Sequence, residues 1–159
     1  MRIIIHAVGR MKAGPERELA ARYLDRFGKS GQFVGLEAGG VVEIAESRAR
    51  TSEGRKREEA RKLSETVGSS SLVLLDERGK NLTSMELARH LSALRDTGAR
   101  QVVIAIGGPD GHDANVRKRA DLCVSFGAQT WPHQLVRVML AEQLYRAVTI
   151  LSGHPYHRD

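Results

Sequence analysis

The chain is poor in cysteine, with Cys123 as the only one among its 159 residues. A single cysteine excludes an intramolecular disulfide and the cysteine-rich clusters that hold structural zinc. Cys123 lies within the apolar run at residues 122–126. We therefore interpret it as a buried structural thiol, with a catalytic nucleophile as the alternative interpretation.

Long apolar runs are also lacking. The longest, such as the run at residues 102–106, are far shorter than the roughly 18 residues that a membrane-spanning helix needs. Met1 leads directly into a strand pattern and not into a signal peptide. We therefore expect a cytoplasmic protein with no membrane partner.

Aromatic residues and phosphate-binding motifs are scarce as well. Aromatic residues make up 4% of the chain and are scattered along it, which disfavours a protein that reads single strands by base stacking. No dinucleotide fingerprint or P-loop is present, and no acidic ribose partner follows at the expected distance. A nucleotide-dependent oxidoreductase is therefore disfavoured.

Positive charge is what the chain has in excess, with a formal net charge of +6 and a pI near 9.9. Such a balance favours a polyanionic partner, above all nucleic acid. Basic residues are dense at residues 48–62, which we interpret as a solvated helix face with pairs such as Glu58 and Lys62. Contact with an RNA backbone is the alternative interpretation of this segment.

Strand and helix patterns alternate along the whole chain, with no second domain required. We predict strands at residues 2–8, 41–45, 71–76, 101–106 and 122–126. Residues 28–40 hold five glycines and little periodicity, so we predict a loop there. The order βαβαβαβαβα predicts an α/β fold, with a parallel-type sheet covered by helices on both faces.

Helix signals are clearest in the second half of the chain. Residues 83–86 match a capping box before an apolar stripe, and Asp113 is placed to cap a short basic helix. The last helix, at about residues 133–151, is apolar around most of its circumference. We therefore expect the sheet and a second subunit to cover it.

Three loops follow predicted strands and should meet at one edge of the sheet. They are residues 76–80, the glycine-rich segment 107–111, and residues 126–132. Ligands in parallel sheets bind at the carboxyl ends of the strands. We therefore predict a pocket rich in free backbone N–H and C=O groups, suited to the edge of a purine, although residues 107–111 could also be a plain turn.

The end of the chain carries an unusual group of polar residues. His154, Tyr156, His157 and Arg158 follow the last helix, where neither packing nor solubility requires this composition. We interpret them as a tail carried to a site. His133 could be an ordinary residue of the first helical turn or a catalytic group, and Arg137 could pair with a nearby glutamate.

Four motifs together resemble one family. Leu-Leu-Asp-x-x-Gly-Lys, Ile-Gly-Gly-Pro-x-Gly, Pro-His-x-Leu-Val-Arg-Val and His-Pro-Tyr-His-Arg occur in order. They are similar to those of the bacterial large-subunit ribosomal RNA pseudouridine N3-methyltransferases of the RlmH type. The resemblance implies a single SPOUT-class domain over residues 1–159, with a C-terminal trefoil knot.

The same resemblance implies the chemistry and the partners. The methyl donor is expected to be S-adenosylmethionine, which leaves as S-adenosylhomocysteine, with no metal. The expected enzyme is a cytoplasmic homodimer that methylates N3 of a pseudouridine in 23S rRNA, in the helix 69 region, on assembled ribosomes.

Site residues are carried over by motif. The expected cofactor-binding residues are Leu75, Gly108, Phe126, Gly127, Ala128, Gln129, Thr130 and Trp131. The residues expected near the target base are Tyr156, His157 and Arg158 of the tail, with His133 and Arg137. The tail of one subunit is expected to complete the site of the other.

These residue types suit methyl transfer to an imide nitrogen, which has an available lone pair only as its proton leaves. A guanidinium about 4 Å away stabilises the resulting anion by roughly 4 kcal/mol at an effective dielectric of 20. We expect Arg158 in this role, His133 or His157 as proton acceptor, and Tyr156 positioning the base. The alternative function is a non-catalytic ribosome-binding α/β module, which would need the basic face but not the glycine loop or the tail.

Overall fold

The computed structural model describes residues 1–158, which form an α/β fold around one five-stranded sheet. In chain order the elements are β1 (Arg2–Val8), α1 (Pro15–Gly31), a 3₁₀ turn (Gln32–Val34), β2 (Glu37–Ile44), α2 (Ser52–Val67), β3 (Ser71–Asn81), α3 (Ser84–Asp96), β4 (Gln101–Ile106), α4 (Ala114–Arg119), β5 (Leu122–Ser125) and α5 (His133–Leu151). The strand order is β2-β1-β4-β3-β5, and each pairing is parallel. The predicted parallel sheet is confirmed. Among residues 1–158, no helix combines the length and the apolar character needed to cross a membrane.

Helices cover both faces of the sheet, as predicted. Helices α1, α3 and α5 pack on one face, where Phe27, Leu91 and Leu144 are buried against the strands. Helices α2 and α4 pack on the other face through Leu63 and Val116, among others. Strands β4 and β3 are therefore covered on both sides, which explains their nearly continuous apolar sequences.

Side-chain caps fix where three helices begin. The predicted capping box is present, since Thr83 Oγ1 accepts from the Glu86 amide and the Glu86 carboxylate accepts from the Thr83 amide. Asp113 caps α4, also as predicted, and Thr51 caps α2. These local hydrogen bonds satisfy first-turn amides that have no partner within the helix.

The prediction of a loop over residues 28–40 was wrong. Helix α1 continues to Gly31, and β2 begins at Glu37, four positions before the predicted start at residue 41. The glycines serve close packing: a Cβ on Gly31 would lie 2.2 Å from the carbonyl oxygen of Leu36, and a Cβ on Gly39 would lie 2.9 Å from that of Ile3. Leu36 is fully buried, so this segment forms part of the core.

Gly28 differs from these glycines, and we expect Gly28→Ala to stabilise the protein by about 0.5–1 kcal/mol. Its added Cβ would make ordinary contact with Ala38 Cβ at 3.5 Å, inside helix α1. Urea unfolding measures the change. Gly31→Ala is the matched variant and should destabilise the protein, because its Cβ would collide with backbone. Destabilisation by Gly28→Ala would contradict this account of the helix.

Strand β3 pairs with strand β5 in two stretches, with a register shift between them. Leu75 and Lys80 both pair with Val124, so residues 76–79 make an excursion between two stretches of pairing with β5. A Cβ on Gly79 would lie 2.5 Å from the carbonyl carbon of Val124. Glycine at position 79 therefore lets β3 lie directly against the backbone of β5.

Helix α5 is only partly covered by its own chain. Leu140, Leu144 and Val148 are buried against the sheet, whereas Leu135 near its start is 39% exposed and Trp131 just before it is 37% exposed. A second subunit over this end of the helix stays a prediction.

Candidate active site

The carboxyl ends of β3, β4 and β5 form a cleft of about 450 Å³. Its walls come from residues 75–78, the glycine loop 107–111 and residues 126–131, so the predicted meeting of the three segments is confirmed. The prediction of a turn at residues 76–80 was wrong, because Lys80 and Asn81 pair again with β5 and β3 runs on to Asn81. Seven of the eight expected cofactor-binding residues line the cleft, namely Leu75, Gly108, Phe126, Gly127, Gln129, Thr130 and Trp131. Ala128 is exposed and is not part of the wall. The volume falls within the range of small-molecule sites.

The glycine loop at residues 107–111 is a tight turn that packs on helix α2. The Gly111 amide donates to the Gly108 carbonyl at 2.9 Å, and Gly111 has φ of 77°. A Cβ on Gly108 would lie 2.8 Å from Glu59 Oε2. Glu59 is buried and accepts from the Ser47 amide at 3.0 Å, which holds its carboxylate in place. A side chain at position 108 would therefore force the loop or the Glu59 carboxylate to shift.

Helix α2 also holds the loop by an ion pair. The Arg55 guanidinium donates to both carboxylate oxygens of Asp110, at 2.6 Å and 2.9 Å. This hydrogen bonding lowers the pKa of Asp110 and raises that of Arg55. Arg55 and Glu59 stand one helical turn apart, so one face of the basic helix α2 contacts the loop at two points.

Sequence patterns did not single out two histidines of this region: His112, which lines the cleft, and His6 on β1. His112 Nε2 donates to the carbonyl of Leu75 at 3.1 Å, which ties the end of β3 to the glycine loop. His6 on β1 is almost fully buried, with Nδ1 3.1 Å from Thr66 Oγ1. Burial lowers the pKa of both, to about 4 for His6, where the charge of His112 adds to the effect.

Because the imidazole of His6 is buried, we expect the folded protein to lose stability in acid. Its folded pKa of about 4 lies below the ordinary value of 6.5, so the unfolded chain binds more protons between these values. Its contribution to stability is complete above pH 6.5 and is lost as pH falls toward 4, amounting to about 2 kcal/mol between pH 7.5 and 5.0. Urea unfolding of His6→Leu should show a pH dependence smaller by this amount. The exposed His154→Ala control should behave like wild type, and an unchanged slope in His6→Leu would contradict the assignment.

Polar groups at the rim are also fixed by contacts. Asp76 Oδ1 accepts from the Arg78 amide at 2.9 Å, and Asp76 Oδ2 lies 3.4 Å from Arg117 Nε. In the third loop, Ser125 Oγ donates to the Gly127 carbonyl at 2.9 Å, which shapes the turn after β5. His133, at the start of α5, lines the cleft, and its place near the target base stays a prediction.

Arg137 does not line the cleft. Its guanidinium is buried, pairs with Glu43, and donates to the carbonyls of Val8 and Gly9. The structure therefore confirms the alternative interpretation, in which Arg137 pairs with a nearby glutamate. Arg137 joins α5 to the ends of β1 and β2, which places it in the support of the site and not in the cleft wall.

We expect Arg137→Met to destabilise the fold by about 3 kcal/mol, because the buried backbone carbonyls and Glu43 lose their donor. Burial acts to raise the pKa of Glu43, but hydrogen bonds from Met11 and Arg137 outweigh it and hold that pKa below the ordinary value. The stabilisation from Glu43 is thus present above its unfolded pKa and is lost as pH falls through the lower, folded value. Thermal unfolding of Arg137→Met with exposed Arg89→Met as control tests this, and equal midpoints would contradict it.

The tail folds back on its own helix α5. The Tyr156 hydroxyl donates to Glu142 Oε1 at 3.1 Å, and its ring meets the Tyr145 ring edge-on at 4.8 Å between centroids. Arg158 is exposed. Nine helical positions separate His133 from Glu142, or about 13 Å along the axis. The cleft and the tail of one chain therefore lie at different levels of α5, and Tyr156, His157 and Arg158 do not line the cleft.

Comparisons with known proteins place this geometry in a class. Residues 1–157 match the family described as "Predicted SPOUT methyltransferase". The fold is also similar to that of a probable methylase family protein from Haemophilus influenzae Rd KW20, with a TM-score of 0.53 and 11% identity, covering 99% of this chain and 70% of that one. The chain belongs to the SPOUT methyltransferase family.

Close relatives narrow the assignment. The chain is 69% identical over 159 residues to the ribosomal RNA large subunit methyltransferase H of Chelativorans sp. (strain BNC1), covering all of this chain and 92% of the relative. It is 61% identical to the protein of the same name from Mesorhizobium japonicum, covering 99% of each. Within the SPOUT family, it is therefore a member of the methyltransferase H group.

Proposed function

We propose that this protein transfers a methyl group from S-adenosylmethionine to ribosomal RNA of the large subunit. The observation that carries the proposal is the cleft at the carboxyl edge, where the three loops carry seven of the eight expected cofactor-binding residues. The names of the relatives, ribosomal RNA large subunit methyltransferase H, support the class of substrate.

The residues around the cleft fit the methyl donor. Leu75, Ile106, Phe126 and Val136 provide apolar walls for an adenine ring. Asp76 and Asp110 also line the cleft, but Arg117 and Arg55 already pair with their carboxylates, so the fit rests on the apolar walls and on the backbone groups around the cleft. S-adenosylmethionine, when bound, supplies an electrophilic methyl group, and the chain's own residues hold and orient it.

At the acceptor, we propose N3 of a pseudouridine in 23S rRNA, in the helix 69 region of assembled ribosomes. The shared motifs and the basic composition support this finer assignment. Arg158 would stabilise the imidate anion, and His133 or His157 would accept the proton. Tyr156, whose hydroxyl is held by Glu142, would present its ring to the base.

The distance between cleft and tail within one chain supports a shared site. The tail would serve the cleft of a second copy in a homodimer, with contacts over the exposed start of α5. We also propose that residues 1–159 form one cytoplasmic domain with a trefoil knot. Membership of the SPOUT methyltransferase family supports the knot.

A non-catalytic ribosome-binding module is the second candidate, favoured by the exposed cations of α2 and α4. They are Arg57, Arg61, Lys118 and Arg119. Calorimetry with S-adenosylmethionine separates the two candidates. Saturable binding that is lost in cleft variants supports the enzyme, whereas the absence of binding supports the module.

The substrate is tested by mapping methyl groups in ribosomal RNA by mass spectrometry. RNA from cells that lack the gene should lose one methyl group, at N3 of a pseudouridine, and regain it when the gene is restored. Loss at another position would refute the finer assignment, and identical maps would refute the proposed activity.

A further inference from the structure

All three tyrosines of the chain meet where the tail contacts helix α5. The ring of Tyr145 lies between those of Tyr23 and Tyr156, with centroid separations of 6.3 Å and 4.8 Å. Arg26 stands over the rings of both Tyr23 and Tyr145, at 5.9 Å and 5.8 Å. Aromatic residues make up 4% of the chain, so the grouping of its three tyrosines here indicates that the tail contact is specific.

Glu142 is the centre of the polar contacts. Its Oε1 accepts from Arg146 at 2.9 Å and 2.5 Å and from the Tyr156 hydroxyl at 3.1 Å, while Oε2 accepts from Gln143 at 2.8 Å. The Arg146 guanidinium also stands over the Tyr156 ring at 4.9 Å and contacts His157. The Tyr156 ring is thus held on its face, on its edge and at its hydroxyl.

The phenol of Tyr156 stays protonated at physiological pH. Burial raises its pKa, and hydrogen bonding with Tyr23 and Glu142 raises it further. The hydroxyl therefore remains a donor to Glu142 throughout the range in which the protein works, and the contact does not depend on a change of charge.

We propose that Glu142 and Arg146 are positioning residues that fix Tyr156 and thereby set the place of Arg158. Arg158 stands two positions after this anchor, so the backbone reaches about 7 Å beyond it. Without this anchor at Tyr156, the tail would lose conformational entropy each time it became ordered against the substrate. This inference rests on the proposed function, in which the tail supplies the groups at the acceptor base.

Glu142→Ala is the first test, with exposed Glu65→Ala on α2 as the matched control. Misplacement of a catalytic group by about 1 Å can lower a rate about 100-fold, so we expect kcat on large subunits to fall by up to that factor. Binding of S-adenosylmethionine should stay within about twofold of wild type, since Glu142 is not among the residues that line the cleft. Glu142→Gln should retain more activity, because its amide oxygen still accepts from Tyr156.

Two further measurements test directly whether Glu142 anchors the tail. Hydrogen exchange of the tail amides at residues 152–158 should become faster in Glu142→Ala and not in Glu65→Ala. Tyr156→Phe should lower kcat in the wild-type background. It should have a much smaller effect in the Glu142→Ala background, because both changes break the same hydrogen bond between Tyr156 and Glu142. Wild-type kcat and exchange in Glu142→Ala, or additive effects, would overturn the anchor. A wild-type protein that methylates no ribosomal RNA would instead refute the proposed function, while exchange would still test the anchor.

Discussion

Arg158→Ala is expected to lower the methylation rate on large subunits by about a thousandfold. The estimate follows from the roughly 4 kcal/mol that a guanidinium about 4 Å from a developing anion supplies, at about 1.4 kcal/mol per factor of ten. Arg158 is exposed and follows the anchored Tyr156, so its removal should leave the fold intact. A change that acts only on the anion of the acceptor should also leave binding of S-adenosylmethionine unchanged.

The measurement is single-turnover transfer of labelled methyl to purified large subunits, with calorimetry for the donor. Arg89→Ala, at an exposed position of helix α3, removes the same charge away from the tail and should react at the wild-type rate. Deletion of residues 156–159 should be as inactive as Arg158→Ala. Full activity in the truncated protein would remove the tail from the mechanism.

Gly108→Val should abolish binding of S-adenosylmethionine while leaving the sheet folded. A Cβ at this position would lie 2.8 Å from Glu59 Oε2 and 3.1 Å from Val8 Cγ1. Glu59 is buried and bonded to the Ser47 amide, so the loop must move outward into the cleft. We expect the dissociation constant to rise by at least about 100-fold, equivalent to about 2.7 kcal/mol.

Calorimetry measures the loss, and circular dichroism reports the fold. Gly108→Ala should lose less affinity for S-adenosylmethionine, since it adds one methyl group and not the branched side chain of valine. Gly28→Ala, whose Cβ meets ordinary contact on helix α1, is the matched control and should bind like wild type. Wild-type affinity in Gly108→Val would show that the loop does not shape the donor site.

Much of the site could be predicted because the sequence patterns that indicate it lie within short segments of the chain. Strands β1 and β4 and helix α5 have the predicted bounds, since period and capping are properties of short segments. Loops that follow neighbouring parallel strands must share an edge, so the cleft followed from the order of elements. The motifs then indicated which loop residues face it.

The supporting contacts were not predictable in the same way. Arg55 and Asp110 are 55 positions apart, and His112 meets the Leu75 carbonyl across 37, so only the fold brings them together. Arg137 did leave a signal, because it shares a helical face with the buried Leu140 and Leu144. At residues 28–40, the glycine content gave a wrong prediction, since glycine there allows close packing of backbone and not a loop.

The central claim is that the cleft of one chain works with the tail of another. Mixing of Gly108→Val and Arg158→Ala chains, each inactive alone, after joint unfolding and refolding, tests this most directly. In a mixed dimer, the intact cleft of one chain would meet the intact tail of the other. Random pairing then predicts about one quarter of wild-type activity. No recovered activity in a mixture that contains mixed dimers, with wild type active under the same conditions, would contradict the shared site.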